Sequence, residues 1–359
     1  MYNRKYNFSP GPAVLPLPVL EKAREDIISF RGSGIGVLEM SHRSKDFDKM
    51  YEEVIERFKG FMNIGDNYDI IFMGGGASSQ FYLIPMNFLP RERTADYIVT
   101  GTWAKKAVKE ARLFGNVNIA SSSEDRNFSY LPKNHTFSKD PAYIHITSNN
   151  TIYGTQWGEY PEIHGTPVVC DMSSDILCKK IDFNAFDLIY AGAQKNIGPA
   201  GVTVVIIKNS FLERASADNP TMALYRTHVE KKSVFNTPPV FGIYIINEVL
   251  NWMIENGGLS AIEEKNRNKA GMVYGMMDKY PDFYRGHAEK DSRSLMNITF
   301  RLPSEDLEAK FIKEATSLDL MGLKGHRSVG GIRVSIYNAF PEDGVEKLVQ
   351  FMKDFRDNN

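Results

Sequence analysis

Five runs of apolar and β-branched residues recur between positions 69 and 192, each ending in a polar or glycine-containing turn. They read DIIFM (69–73) before GGGASSQF, DYIVTG (96–101) before TWAKKAVKEARLF, AYIHIT (142–147) before SNNTIYG, then TPVVCDM (166–172) and DLIYAG (187–192). Runs of this kind lie buried in a sheet, and their alternation with helical segments marks an α/β fold with largely parallel strands. Such a sheet gathers its ligands beyond the carboxyl ends of its strands. The polar motifs of this chain fall at such ends.

The stretch 189–207, IYAGAQKNIGPAGVTVVII, sets Lys195 on a glycine-rich link between two β-prone runs, 187–191 and 202–207, at what is expected to be a sheet edge. Gly192, Ala193, Gly198 and Gly201 would let a flat cofactor approach the backbone. Taken alone, a solvated lysine in a glycine turn explains the same residues. Gly74, Gly75 and Gly76, with Ala77, Ser78 and Ser79, follow one strand and open a helix, an arrangement whose free amides and positive dipole end suit a phosphate. They match neither GxGxxG nor GxxxxGK[ST], which disfavours a dinucleotide or ATP; a plain strand-to-helix turn is the alternative.

Asp171 ends an apolar strand, where a carboxylate needs a cation or a donor, or else caps the turn from Ser173 onward. Trp103 opens a helix and could cover a planar ligand, or belong to the core. Two His-Arg pairs, His42-Arg43 and His326-Arg327, together with Arg333, suit anion recognition, although each pair alone could be solvated surface. One chemistry uses all of these parts. Pyridoxal phosphate needs a lysine for a Schiff base, a carboxylate at its pyridine nitrogen, a helix N-terminus for its phosphate and an aromatic face for its ring.

Composition narrows the setting. With 359 residues the chain exceeds one ordinary domain, and 43 basic against 44 acidic residues leave a net charge of −1, which suggests no nucleic-acid or membrane surface. Cys170 and Cys178 form neither a disulfide framework nor a zinc pattern, and no metal is expected. A reducing, cytoplasmic location fits, since neither the first residues nor the uncharged run 233–247 reads as an export signal or membrane span.

Helices are expected over 17–30, with apolar Leu20, Ala23, Ile27 and Ile28 at helical spacing, and over 47–62, with Phe47, Met50, Tyr51, Val54, Ile55, Phe58 and Met62 in one core-packing stripe. A long apolar helix over 241–255 ends at Gly257-Gly258, and the boundary between two domains is placed there. Residues 17–256 form a large cofactor-binding domain with a mostly parallel mixed sheet flanked by helices. Residues 257–359, joined by 1–16, form a smaller α+β domain of helix, strand (293–302), helix (306–318), strand (330–337) and closing helix.

The motifs together identify a resemblance that runs nearly the full length. FSPGPAVLP (8–16), EMSHRSKDF (39–47), GGGASSQF (74–81), GAQKNIGPAG (192–201), FNTPP (235–239) and LKGHRSVGGIRVSIYNAFP (323–341) resemble the phosphoserine aminotransferase family, of the aspartate-aminotransferase-like, fold-type I pyridoxal phosphate enzymes. The resemblance implies that Lys195 forms the Schiff base and carries the proton, and that Asp171 pairs with the pyridinium nitrogen. Trp103 would stack on the ring, Thr151 would hydrogen-bond the cofactor, and Ala77, Ser78 and Gln194 would lie around its phosphate. Asn236 and Thr237 would reach over from a second subunit of a homodimer.

For substrate, the resemblance gives the α-carboxylate to Arg333. It gives the distal phosphate or carboxylate to His326, Arg327 and the neighbouring chain's His42 and Arg43. Ser78 departs from relatives that carry arginine there. The implied reaction exchanges amino groups between glutamate and 3-phosphohydroxypyruvate in serine biosynthesis; a one-carbon-longer substrate, yielding 4-phosphohydroxythreonine on a route to pyridoxal phosphate, is the close alternative. A cysteine desulfurase is disfavoured because Cys170 falls within a buried strand. A scaffold protein with a vestigial loop would be colourless.

Overall fold

In the computed structural model, residues 2–359 are described. The chain opens with a two-residue strand, β1 (Tyr6–Asn7), then helices α1 (Leu17–Asp26) and α2 (Lys45–Met62). α2 starts where Ser44 Oγ accepts from the Phe47 amide, carries Asp46 and Asp48 in its first turn, and stops at Asn63 with φ 50°. Its stripe Phe47, Met50, Tyr51, Val54, Phe58 and Met62 is buried, with Ile55 partly so; each large side chain contributes roughly 2 kcal/mol.

α1 departs from the expectation. It ends at Asp26 rather than running to Phe30, and it buries Val19, Ala23 and Asp26 while Leu20, Ile27 and Ile28 are exposed. The cause is the Asp26 carboxyl, which accepts from Lys22, the Arg31 amide and the Tyr244 hydroxyl. A buried carboxylate must keep its donors, so it overrides the apolar periodicity and turns the chain.

The sheet follows: β2 (Tyr68–Gly74), α3 (Gln80–Phe88), β3 (Thr94–Val99), α4 (Thr102–Ala111), β4 (Asn116–Ser122) and β5 (Ile144–Thr147). A small hairpin, β6 (Asn149–Asn150) with β7 (Thr155–Gln156), precedes β8 (Val168–Asp171), β9 (Leu188–Gly192) and β10 (Val202–Lys208). The seven strands lie in the order β2-β10-β9-β8-β5-β3-β4. Only β10 runs antiparallel to its neighbours. Because β9 is an interior strand, the Lys195 link sits at its carboxyl end and not at an edge strand. β4 is the edge strand that the sequence reading missed, since NVNIASS is too polar for a buried run.

Alternate residues of the strands feed two cores. Ile70, Phe72, Ile146, Ile189 and Val204 face one side with α2, and Ile71, Tyr97, Val169, Tyr190 and Val205 face the other with α3 and α4. The short helices α5 (Asn209–Leu212) and α6 (Tyr225–Glu230) lead to α7 (Val240–Glu255). Gly257 and Gly258, at φ +91° and +70°, then turn the chain into α8 (Gly258–Lys279).

The rest comprises β11 (Arg285–Gly286), β12 (Asn297–Arg301), α9 (Glu305–Ser317), β13 (Leu320–Met321), β14 (Ile332–Ser335) and α10 (Glu342–Asp357). β11, β12 and β14 form an antiparallel sheet, and β1 pairs parallel with β13. A third core gathers Phe8 with Ile298, Phe300, Phe311, Val334 and Leu348. The N-terminal segment thus packs with the C-terminal elements.

Candidate active site

Three strand ends and one loop meet around Lys195. The link from β9 to β10 carries it, and Nζ donates to Thr151 Oγ1 at 2.6 Å. Gly11, at φ +138°, lies over the lysine; a β-carbon there would stand 3.3 Å from Lys195 Cγ. The Ala13 amide donates to the Gln194 carbonyl at 2.8 Å, fixing that segment against the link. Burial brings the Lys195 amine down to about 8; Asp171 and Asp175 oppose the shift, and Arg333 adds to it.

Asp171 ends β8 and is buried. Its Oδ1 accepts from the Ser173 amide at 2.9 Å, so it does cap the following turn. Burial raises its pKa, against pulls from Ser173, Lys195 and Tyr190 that favour the carboxylate. Capping therefore does not exhaust the residue, because Lys195 acts on the same carboxyl. Trp103, at the start of α4, has its indole Nε1 buried without a partner, as is Gln194 Oε1.

The glycine turn is open. β-carbons at Gly74, Gly75 or Gly76 would meet nothing within 4 Å, and Gly76 begins the Ala77–Ser79 turn with no side-chain cap. Antiparallel pairing of Val202 with Gly74 brings this turn beside the end of the lysine link, where the Gly75 amide donates to the Gly201 carbonyl at 2.9 Å. Asn236 and Thr237 are exposed, and with Gly74 and Ser79 they line a cavity of about 540 Å³.

Arg333 stands on β14, 8% exposed, with its Nε unpartnered. The His326 loop is closed by the Gly325 amide on the Gly331 carbonyl and by the Gly330 amide on the His326 carbonyl, both 2.8 Å. Burial lowers the His326 pKa, with Arg333, Arg327 and Lys106 adding to the shift. These four cationic or titratable groups share one field, whose sign favours an anion.

Residues 5–348 match the family described as aminotransferase class-V. The phosphoserine aminotransferase of Desulfosudis oleivorans is 54% identical over 361 residues, covering 100% of both chains. The chain belongs to the phosphoserine aminotransferase family. Among solved structures, the phosphoserine aminotransferase of Bacillus circulans subsp. alkalophilus superposes with a TM-score of 0.97 at 48% identity, covering 100% of both chains. That of Trichomonas vaginalis, described as bound to PLP, gives 0.92 at 38% identity over 98% of this chain and 100% of its own. The α/β fold expected from the sequence is that of these aminotransferases.

Within this family member, the structure brings together Lys195, Thr151, Asp171, Gln194 and Arg333, with His326 and Arg327 alongside. Ala77 and the exposed Ser78 stand at the glycine turn. No hydrogen bond or ion pair joins His42, Arg43, Asn236 or Thr237 to the Lys195 cluster among the described residues. The sequence reading missed Lys106, one turn after Trp103, whose Nζ lies 4.4 Å from the Trp103 ring. Helical spacing from Trp103 was the available signal. Among the described residues, no helix is long and apolar enough to cross a membrane, and no metal-binding cluster is found.

Proposed function

We propose that this aminotransferase uses pyridoxal phosphate to exchange an amino group between glutamate and 3-phosphohydroxypyruvate, giving phosphoserine and 2-oxoglutarate. The observation that carries the reading is the partly buried Lys195 on the link after β9, whose Nζ donates to Thr151 Oγ1 at 2.6 Å and whose charge responds to the Asp171 carboxyl and the Arg333 guanidinium. The residues fit the cofactor. The open glycine cradle accommodates a phosphate, the unpartnered Trp103 Nε1 and Gln194 Oε1 await polar partners, and Asp171 supplies the charge a pyridine nitrogen requires.

When bound, the cofactor supplies the carbonyl that takes and returns the amino group and an electron-poor ring that accepts charge. Lys195 Nζ takes the proton from the amino acid's Cα, and its lowered pKa leaves a working fraction of neutral amine near pH 7. Thr151 Oγ1, accepting from Nζ, holds the amine in place. Asp171 keeps a negative charge at the ring nitrogen. Arg333 takes the α-carboxylate, and His326 and Arg327 take the distal anion. Phosphoserine and glutamate share this pair of anions, so one pocket serves both halves of the reaction.

In this reading Ala77, Ser78 and Gln194 surround the cofactor phosphate. A second copy of the chain supplies Asn236, Thr237, His42 and Arg43, a reading supported by the exposure of Arg43, Asn236 and Thr237 in the single chain. Residues 17–256 and 257–359 with 1–16 act as large and small domains, supported by the separate third core. A cytoplasmic location accords with two free, buried thiols.

Single-turnover absorbance with glutamate, phosphoserine, 4-phosphohydroxythreonine, serine and alanine tests the proposal. A yellow protein that bleaches with glutamate and phosphoserine, and poorly with serine and alanine, is expected. Equal response to serine would overturn the substrate assignment, and a dominant response to 4-phosphohydroxythreonine would move it to the longer substrate.

A further inference from the structure

Behind Asp171 a file of aromatic side chains runs back through the sheet. Tyr190 is paired with Asp171 in the β8–β9 register, and its hydroxyl lies 3.0 Å from His145 Nε2. The His145 ring stacks on Tyr97 with centroids 4.9 Å apart, and the Tyr97 and Tyr143 hydroxyls meet at 2.8 Å. All four side chains are at most 2% exposed. His145 Nδ1 is buried and has no partner.

That unmet nitrogen fixes the direction of the bonds toward Asp171. A buried N–H without an acceptor is rarer than a buried lone pair without a donor. Nδ1 therefore bears the lone pair and Nε2 the hydrogen, which His145 donates to the Tyr190 oxygen. Burial pushes the imidazole down to about 3, so it carries no second proton. Burial also raises the Tyr190 phenol well above its ordinary value, so the hydroxyl keeps its hydrogen. With its oxygen already accepting from His145, Tyr190 is free to turn that hydrogen onto the Asp171 carboxyl, whose charged form it favours.

We propose that His145 and Tyr190 are positioning residues that direct one hydrogen bond onto the Asp171 carboxylate, holding it ionised and aimed at the ring nitrogen of the bound cofactor. The need is physical. A carboxylate in a dry strand end drifts toward its neutral form, and a neutral carboxyl holds a pyridinium poorly. The one hydrogen bond that the Asp171 side chain accepts in the structure comes from the Ser173 amide, on Oδ1, so the Tyr190 hydrogen would be its second. The proposal rests on the assignment of Asp171 to the ring nitrogen.

The test titrates cofactor-free protein with pyridoxal phosphate and with its analogue bearing C–H in place of the ring nitrogen. Tyr190→Phe and His145→Leu are each expected to weaken pyridoxal phosphate about tenfold, the scale of one lost hydrogen bond to a charged group. The analogue should bind all variants alike, the double variant should be no weaker than either single one, and His145→Gln, which keeps a donor, should recover most of the affinity. Nitrogen NMR of labelled cofactor-free protein should place the His145 hydrogen on Nε2.

Equal weakening of both ligands would reduce the file to packing and overturn the proposal. So would unchanged affinity, or a hydrogen on Nδ1. Asp171→Asn separates the role of Asp171 from that of the residues behind it. If it too fails to distinguish the ligands, the assignment of Asp171 falls and the proposal with it; if it distinguishes them while His145→Leu and Tyr190→Phe do not, only the positioning role falls. Should His145→Leu fail to fold, Tyr190→Phe, which removes a single oxygen, carries the same comparison.

Discussion

Lys195 Nζ donates to Thr151 Oγ1 across 2.6 Å, linking the loop after β9 to the turn within the β6–β7 hairpin, 44 residues away in the chain. The bond favours the charged amine, whereas burial pushes the amine down to about 8. Thr151→Val removes the acceptor and keeps the shape. The amine pKa should fall further, read by NMR of the lysine in cofactor-free protein. The single-turnover rate with glutamate should drop about tenfold, the equivalent of losing about 1.4 kcal/mol of positioning.

Gly325→Ala should disable the anion loop while sparing the cofactor. A β-carbon there would lie 2.0 Å from the Gly330 carbonyl oxygen, so the loop carrying His326 and Arg327 must open. KM for phosphoserine is expected to rise at least about tenfold with yellow colour retained, since displaced charge-assisted contacts cost about 2 kcal/mol or more. Unchanged KM would remove His326 and Arg327 from substrate recognition.

Lys269 is buried at 1% exposure and donates to the carbonyls of Ile336, Tyr337 and Phe340. Lys269→Met leaves those carbonyls unpaired and should cost about 2–4 kcal/mol in urea unfolding. Burial lowers this amine to about 7 from 10.5, so below that pH the ammonium donates to all three carbonyls and above it the neutral amine, with two hydrogens, donates to two. Between those values the unfolded chain holds a proton that the folded chain lacks, so this group's contribution to stability rises with pH across that window. The deficit of Lys269→Met against the unmodified protein should therefore widen from about pH 7.5 to about pH 9.5. A constant deficit would show that the amine keeps its proton when buried.

Both thiols should be silent in the folded protein. Cys170 and Cys178 are buried, and burial raises both pKa values, with Asp175 adding to the effect. A disulfide reagent at neutral pH is expected to titrate neither cysteine until denaturant is added, and then two. Reaction of either in the native state, with loss of turnover, would revive a thiol-based chemistry.

Much of the site was legible because it is local. GGGASSQF and GAQKNIGPAG each set a strand end, a turn and the candidate residues within about ten positions, and apolar runs mark strands wherever both faces are buried. The reading failed where local pattern competes with a distant partner. α1 turned at Asp26 because Tyr244 supplies a donor from α7. β4 was missed because an edge strand need not be apolar. Lys106 gained its place only when α4 and the His326 loop came within reach of each other.

By itself the sequence determined the α/β class and placed the lysine link, the carboxylate of β8 and the glycine turn at strand ends, since each depends on residue type and short-range spacing. Tertiary structure alone decided that β10 enters the sheet antiparallel between β2 and β9, which sets Gly201 beside Gly75. It also decided that Arg333 acts on the Lys195 amine and that His145 stands behind Tyr190. Side-chain periodicity says which face a residue takes, but strand order and the docking of one sheet on another say whom it meets. Those are set by the packing of the whole chain.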